Sequence, residues 1–224
     1  MPASPYSCVL WDVDGTIADA SAGILPRLAE VLTAFGRQAP SADELPRWIG
    51  PPLFDSFQEH SGMSADEASQ ASQMYRELAA RDGYATSVRI YPGVAEVLQA
   101  VKAAGIPQAT ASSKPENQVV AILGHYGLSR DFVAIAGALP DASGRHEGKP
   151  AVIRRALALL DEAGVDTSRP VLIGDRSHDV EGAEPFGIPV IFVDWGFGEP
   201  GESTGAFAVV SSPEELQRIL LPSP

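Results

Sequence analysis

Val9-Leu10-Trp11-Asp12-Val13-Asp14-Gly15-Thr16-Ile17-Ala18-Asp19-Ala20 is an apolar run that carries two carboxylates and breaks at a glycine. In a strand, alternation puts Asp12 and Asp14 on one side of the backbone and turns Val13 the other way, into a core. Gly15 lets the chain leave the strand sharply. Two acids side by side at a strand end repel each other, and burial adds a desolvation cost. A metal cation relieves both problems, and so does keeping one acid protonated; either arrangement is useful in catalysis. A solvated strand end followed by a turn accommodates the same residues, so this stretch alone leaves the two readings open.

Downstream, the first pattern is helical. Ile24, Leu25, Leu28, Val31, Leu32 and Phe35 recur at helical spacing up to Gly36. Ser41-Ala-Asp-Glu44 and Ser64-Ala-Asp-Glu67 both match the capping box and predict two more helix starts. Between them Trp48-Ile-Gly-Pro-Pro-Leu53 is a stiff turn. No strand is expected from Asp19 to about Ser87. After Tyr91-Pro92-Gly93 the pattern alternates. Strands are expected at Ile106–Ala111, Phe132–Ala136, Val171–Gly174, Pro189–Val193 and Ala206–Val210. The helices between them are marked by Val94–Val101, Val119–Tyr126, Val152–Leu160 and a short piece at Asp179–Phe186, and Ser212-Pro213 opens a last one. Strands alternating with helices predict a doubly wound, Rossmann-like parallel sheet, with an all-helical insert after the first strand.

Length and composition fit this. The chain has 224 residues, 45% apolar and 20% charged, room for one large domain or one plus a small insert. A formal net charge of −13 disfavours nucleic acid or an anionic membrane as partner. An anionic substrate is compatible only where lysine, backbone N–H groups or a metal reverse the field locally. The single cysteine, Cys8, excludes an internal disulfide and sits in the apolar first strand. The stretch MPASPYS lacks the features of a secretory signal, and no apolar run is long enough for a bilayer. A soluble, cytoplasmic protein is expected.

In doubly wound sheets the functional crevice lies at the carboxyl ends of the strands. Here those ends carry Asp12 and Asp14, then Ala111-Ser112-Ser113-Lys114-Pro115, then Gly174-Asp175-Arg176-Ser177-His178-Asp179. Lys149 follows a polar loop, Asp141–Gly148. Hydroxyls and free N–H groups ahead of a helix suit a phosphate oxygen. Each feature has a plain alternative, a serine cap, a solvated lysine or an acid favoured by a helix dipole. Their joint occurrence at converging strand ends favours a catalytic site.

These segments resemble the four motifs of the haloacid dehalogenase superfamily: DVDGT the first, ATASSKP the second, the lysine of GKP the third, and GDRSHD with VEGA the fourth. The helical insert is similar to the cap of the subfamily that includes phosphoglycolate phosphatase and β-phosphoglucomutase. The resemblance implies a catalytic core over 1–18 and 88–224 and a cap over 19–87. It implies Asp12 as nucleophile, Asp14 as acid and base, and Ser112, Ser113 and Lys149 as phosphate-binding residues. Lys149 would neutralise both the phosphoryl group and Asp12. Mg²⁺ would be held by Asp12, the Asp14 carbonyl and Asp175, with Asp179 in support. Thr110 is the alternative hydroxyl to Ser112, and Arg145 is given no role. In the cap, Arg47, Trp48 and the Gly50-Pro51-Pro52 turn are candidates for substrate contact, or a packed turn. The substrate implied is a small phosphorylated metabolite. A dehalogenase lacks the second acid that Asp14 supplies, and a β-phosphoglucomutase carries a histidine near the position of Ile24, which this chain lacks. A phosphatase is therefore expected. The alternatives are a phosphosugar mutase and a non-catalytic binding protein on the same fold.

Overall fold

In the computed structural model, which describes residues 4–41, 43–139 and 147–222, strand β1 (Cys8–Trp11) is buried along its whole length. Its alternation serves two cores. Val9, Trp11 and Val13 enter one apolar cluster, Cys8 and Leu10 the other. The chain continues through β2 (Ala18–Asp19), α1 (Ser21–Ala34), α2 (Leu53–Ser61), α3 (Ala65–Asp82) and β3 (Arg89–Ile90). It then alternates: α4 (Val94–Ala103), β4 (Gln108–Thr110), β5 (Ser112–Pro115), α5 (Glu116–His125), β6 (Gly137–Ala138), α6 (Lys149–Glu162), β7 (Pro170–Gly174), α7 (Ser177–Ala183), β8 (Val190–Val193), β9 (Ala208–Val210) and α8 (Pro213–Leu220). The central five-stranded sheet runs β4-β1-β7-β8-β9 and every pair in it is parallel. The expected α/β fold with a parallel sheet and flanking helices is present. β1 lies between β4 and β7, so Asp12 emerges mid-sheet, where strand ends from both sides surround it.

Helices α1 and α2 both pack on α3. Their apolar side chains, among them Leu28, Phe57 and Tyr75, continue the cluster that Trp11 and Val13 enter. The helical stretch is closed at its base by a feature the sequence does not announce: β2 pairs antiparallel with β3, Ala18 opposite Ile90 and Asp19 opposite Arg89. Two-residue strands have too little alternation to be read.

Two other expectations are corrected. The Ser41 box forms its Glu44 half, with Ser41 N and Oγ both donating to Glu44 Oε2 at 2.8 and 2.9 Å, while Glu44 N donates to the Ser41 carbonyl instead of the hydroxyl, and only a 3₁₀ turn follows, Leu45–Trp48. Gly50-Pro51-Pro52 stops it before a second turn, and so short a helix does not sustain itself. The Ser64 box, with no breaker behind it, caps α3 in full. Phe132–Ala136 is not a regular strand. It runs along β4 through single bonds, and Thr110 Oγ1 both accepts from Ala136 N and donates to Ala136 O, replacing the ladder. Regular pairing resumes as β6 against β5, at the end of the strand expected from Ile106. The loop expected at Asp141–Gly148, with Arg145, lies outside the described residues except for Glu147 and Gly148.

Candidate active site

The side chains of Asp12, Asp175 and Asp179, all buried, place one oxygen each within 4.8 Å of one another. β1 delivers Asp12 and β7 delivers Asp175. α7 returns Asp179 over the end of β7, where its Oδ2 accepts from the backbone N–H of Asp175 and of Arg176, both at 3.1 Å. Asp175 is held twice more: Thr16 Oγ1 donates to Oδ1 at 3.2 Å and Phe197 N to Oδ2 at 2.7 Å. Lys149, at the start of α6, closes the group. Its Nζ donates to Asp12 Oδ1 at 2.6 Å and to the Ala111 carbonyl at 2.9 Å. It also lies 2.5 Å from Asp179 Oδ1, a charge contact outside hydrogen-bond geometry that leaves this buried oxygen without a hydrogen bond. Burial pulls the Lys149 ammonium down, but Asp12 and Asp179 outweigh it and raise its pKa.

The acids carry the cost of crowding. Burial raises Asp175 well above the carboxylate range, and the charges of Asp12 and Asp179 add to the rise. Burial also raises Asp179, against the pull of Lys149. A cation relieves this best. The donors are hard oxygens, suited to Mg²⁺ and unsuited to a soft metal. The space is also kept open. A Cβ on Gly196 would fall 2.3 Å from Asp175 Oδ2, and one on Gly15, which turns at φ +85°, 2.0 Å from the same atom. The residues present therefore fit a divalent cation.

The Asp14 side chain stands outside that trio. Its Oδ2 is 2.7 Å from Lys114 Nζ, both side chains nearly buried. Its Oδ1 is buried without a hydrogen bond, and the residue lines the cavity described below. Burial raises its pKa, only partly countered by Lys114. Lys114 was given no role from the sequence, although it follows the serines directly; a lysine after a strand reads as solvated until the fold turns it inward. Of the two candidate hydroxyls, Thr110 is committed to Ala136 and does not line the cavity, whereas Ser112 lines it and Ser113 with it. Ser112 Oγ accepts from Lys114 N at 3.2 Å and does not cap α5, whose N-cap residue is Pro115.

A cavity of about 330 Å³ lies over these groups. Asp12, Asp14, Ser112, Lys114, Lys149 and Asp179 form its floor. The opposite wall comes from the helical insert: Trp48, the Gly50-Pro51-Pro52 turn, Phe54 and Asp55, and Ser69, Ser72, Gln73, Tyr75 and Arg76 of α3. Of the cap candidates, Arg47 is turned away, 61% exposed and 3.1 Å from Glu199. Trp48 packs edge-on against Phe57 and His60, with ring centroids 5.6 and 5.3 Å away. The two sides meet at Arg176, a residue the sequence left unassigned. Its guanidinium donates to the Ile49 carbonyl and is held by Glu202 at 2.8 and 3.1 Å.

A family model described as haloacid dehalogenase-like hydrolase matches residues 9–193. The chain is 35% identical over 198 residues to the tyrosine-protein kinase PtkA of Mycobacterium tuberculosis, covering 88% of this chain and 65% of that protein. It therefore spans just under two thirds of that relative's length. It is 32% identical over 227 residues to the plasmid-borne phosphoglycolate phosphatase of Cupriavidus necator, covering 98% of this chain and 95% of the relative. The crystal structure of a predicted phosphatase from Clostridium acetobutylicum superposes with a TM-score of 0.87 at 32% identity, over 97% of this chain and 99% of that one.

Proposed function

The chain belongs to the haloacid dehalogenase-like hydrolases, and from that premise we propose that it is a Mg²⁺-dependent phosphomonoesterase, phosphoglycolate-phosphatase-like, that works through a phosphoryl group carried on Asp12. One observation carries the reading. Asp12 is held by Lys149 on the floor of a cavity that a second, differently held acid, Asp14, also lines. A carboxylate cannot approach a phosphate dianion without cations between them. Lys149 is one such cation, and Mg²⁺, held by Asp12 and Asp175 with Asp179 as their support, would supply the second and polarise the phosphoryl oxygens.

An oxygen of Asp12 attacks phosphorus as the bond from phosphorus to the leaving oxygen breaks. Asp14, whose pKa burial raises in the direction that a proton donor needs, gives a proton to the leaving alkoxide. A water then attacks the aspartyl phosphate and gives its proton to Asp14. The bond from phosphorus to Asp12 breaks, inorganic phosphate leaves, and the Asp12 carboxylate is restored. Ser112 and Ser113 hold the phosphoryl oxygens, and Lys114 fixes Asp14 in place. The division into a core of 1–18 and 88–224 and a cap of 19–87 belongs to the same reading. The core does the chemistry, and the cap excludes water and meets the leaving group. Ile24 lines the cavity where a mutase would need a histidine, so water is the acceptor.

The test is phosphate release from a panel of small phosphomonoesters, in Mg²⁺ and in excess chelator. Inorganic phosphate should appear one-for-one with dephosphorylated product, and only with Mg²⁺. Turnover in chelator, or stoichiometric conversion of β-glucose 1-phosphate to glucose 6-phosphate without phosphate release, would overturn the proposal.

A further inference from the structure

Four cationic side chains line the cavity: Lys114, Lys149, Arg176 and Arg76. Three are already neutralised. Lys149 lies against Asp12 and Asp179, Lys114 against Asp14, and Arg176 against Glu202. Arg76 alone has no ion pair and no hydrogen bond among the described residues. Among the described residues it is also the cap's only cation lining the cavity, and Asp55, an acid that shares this wall, is not free. Arg76 is partly buried on α3, on the wall opposite the acids. A guanidinium that lines the cavity and is engaged by no group of the protein keeps its donors available to an acceptor on a bound molecule.

The rest of that wall is consistent with a polar visitor. Ser69, Ser72, Gln73 and Arg76 stand at i, i+3, i+4 and i+7 on α3, so they share one helical face, and that face lines the cavity. At the same spacing on an ordinary packed helix the residues would be apolar. The next positions around the helix, Ala71, Tyr75 and Leu78, do enter the core. The cavity itself, at about 330 Å³, is at the small end for ligand sites.

We infer that Arg76 is a specificity-determining residue of that reaction: its guanidinium binds the carboxylate on the leaving group of the short phosphorylated hydroxy acid that a phosphoglycolate-phosphatase-like reading already implies. The inference rests on the phosphomonoesterase reading and adds to it the far end of the substrate. The planar guanidinium fork matches a carboxylate through two parallel N–H···O bonds. The protein as a whole carries a net charge of −13 and repels such a substrate, so a positive group at each end of the cavity is what lets a doubly anionic molecule enter. Lys149 and the metal meet the phosphoryl end, and Arg76 meets the carboxylate.

The experiment compares kcat/KM for 2-phosphoglycolate and ethyl phosphate, which differ by the carboxylate, in the Mg²⁺-loaded full chain and in Arg76→Ala and Arg76→Lys. Wild type should prefer 2-phosphoglycolate at least tenfold. Arg76→Ala should bring that ratio to within about threefold of unity, acting mainly through KM, and Arg76→Lys should restore part of it. Hydrolysis of both esters with no preference, or a preference that survives Arg76→Ala, would overturn the inference while leaving the phosphatase reading standing. Hydrolysis of neither ester, nor of any other phosphomonoester in the panel, would overturn both.

Discussion

The two walls of the cavity are built differently. On the sheet side the charged groups around Asp12 are held from several directions. Asp175 accepts from Thr16 and Phe197, Asp179 from two backbone N–H groups, and Lys149 bonds Asp12 and a carbonyl at once. On the α3 face of the helical side, Ser72 bonds back to its own helix at Ala68, Gln73 to Glu77, and Arg76 has no partner among the described residues. Over-determined groups suit chemistry, which fails when a reacting atom moves by an ångström. Locally held groups suit recognition, which can vary without touching the reaction. The contrast predicts that substitutions on the sheet side act on turnover and those on the helical side on choice of substrate.

The largest effect is expected from Asp12→Asn, which keeps the shape but removes the attacking charge and one metal ligand. Turnover should fall by about a thousandfold or more, with circular dichroism unchanged. A folded variant retaining a tenth of the wild-type rate would show that the sheet side does not do the chemistry.

Next comes Gly196→Ala. The new Cβ would meet Asp175 Oδ2 at 2.3 Å and the Gly15 carbonyl at 2.4 Å, neither free to retreat. Overpacking of this kind costs about 1–3 kcal/mol, and here it also fills the space left for the cation. The variant should melt lower than wild type and lose most of the stabilisation by Mg²⁺. An unchanged Mg²⁺ response would show that the cation does not sit beside Asp175.

The metal itself gives the third effect. Asp14, Asp175 and Asp179 all carry raised pKa values, burial first among the causes. Between the ordinary carboxylate value, near 4, and the raised ones, the folded metal-free chain binds more protons than the unfolded chain. Stability from these groups therefore rises as pH falls through that window. Mg²⁺ competes with those protons. The rise in melting temperature on adding Mg²⁺ should thus be large at pH 7.5 and shrink toward pH 5. A shift equal at both pH values would break the link between burial and metal.

The smallest effect belongs to Arg47→Ala. Its exposed pair with Glu199 is worth less than about 1 kcal/mol, so melting temperature and kcat/KM should change little, less than about twofold for the latter. A larger loss would mean that the helical wall extends to residues the cavity does not reach.

What could be read from the sequence follows the same contrast. Asp12, Asp14, Asp175 and Asp179 sit at the ends of apolar runs, where alternation and strand order say where side chains go. Lys114, Arg176 and Arg76 could not be read in this way. Lys114 and Arg176 depend on long-range partners, Asp14 and Glu202, and Arg76 on which face of α3 meets the sheet. The β2–β3 ribbon was too short to carry a period. The Ser41 box forms its Glu44 half but ends in a 3₁₀ turn, because prolines further along decide helix length and the box does not.

The position of β1 between β4 and β7 also sets a timetable. β1 is synthesised well before its two neighbours, which begin at Gln108 and Pro170. At about 5–20 residues per second, the second arrives roughly 8–30 s after Trp11. Through that interval Val9, Leu10 and Trp11 have an unpaired edge, the kind of segment that finds partners on other chains. α1 to α3, complete by Asp82, can form meanwhile because their contacts with one another lie close in sequence. The strand that presents Asp12 is thus the part of the chain most exposed to aggregation during synthesis, so slower growth at lower temperature, which dilutes unfinished chains, should raise the soluble yield.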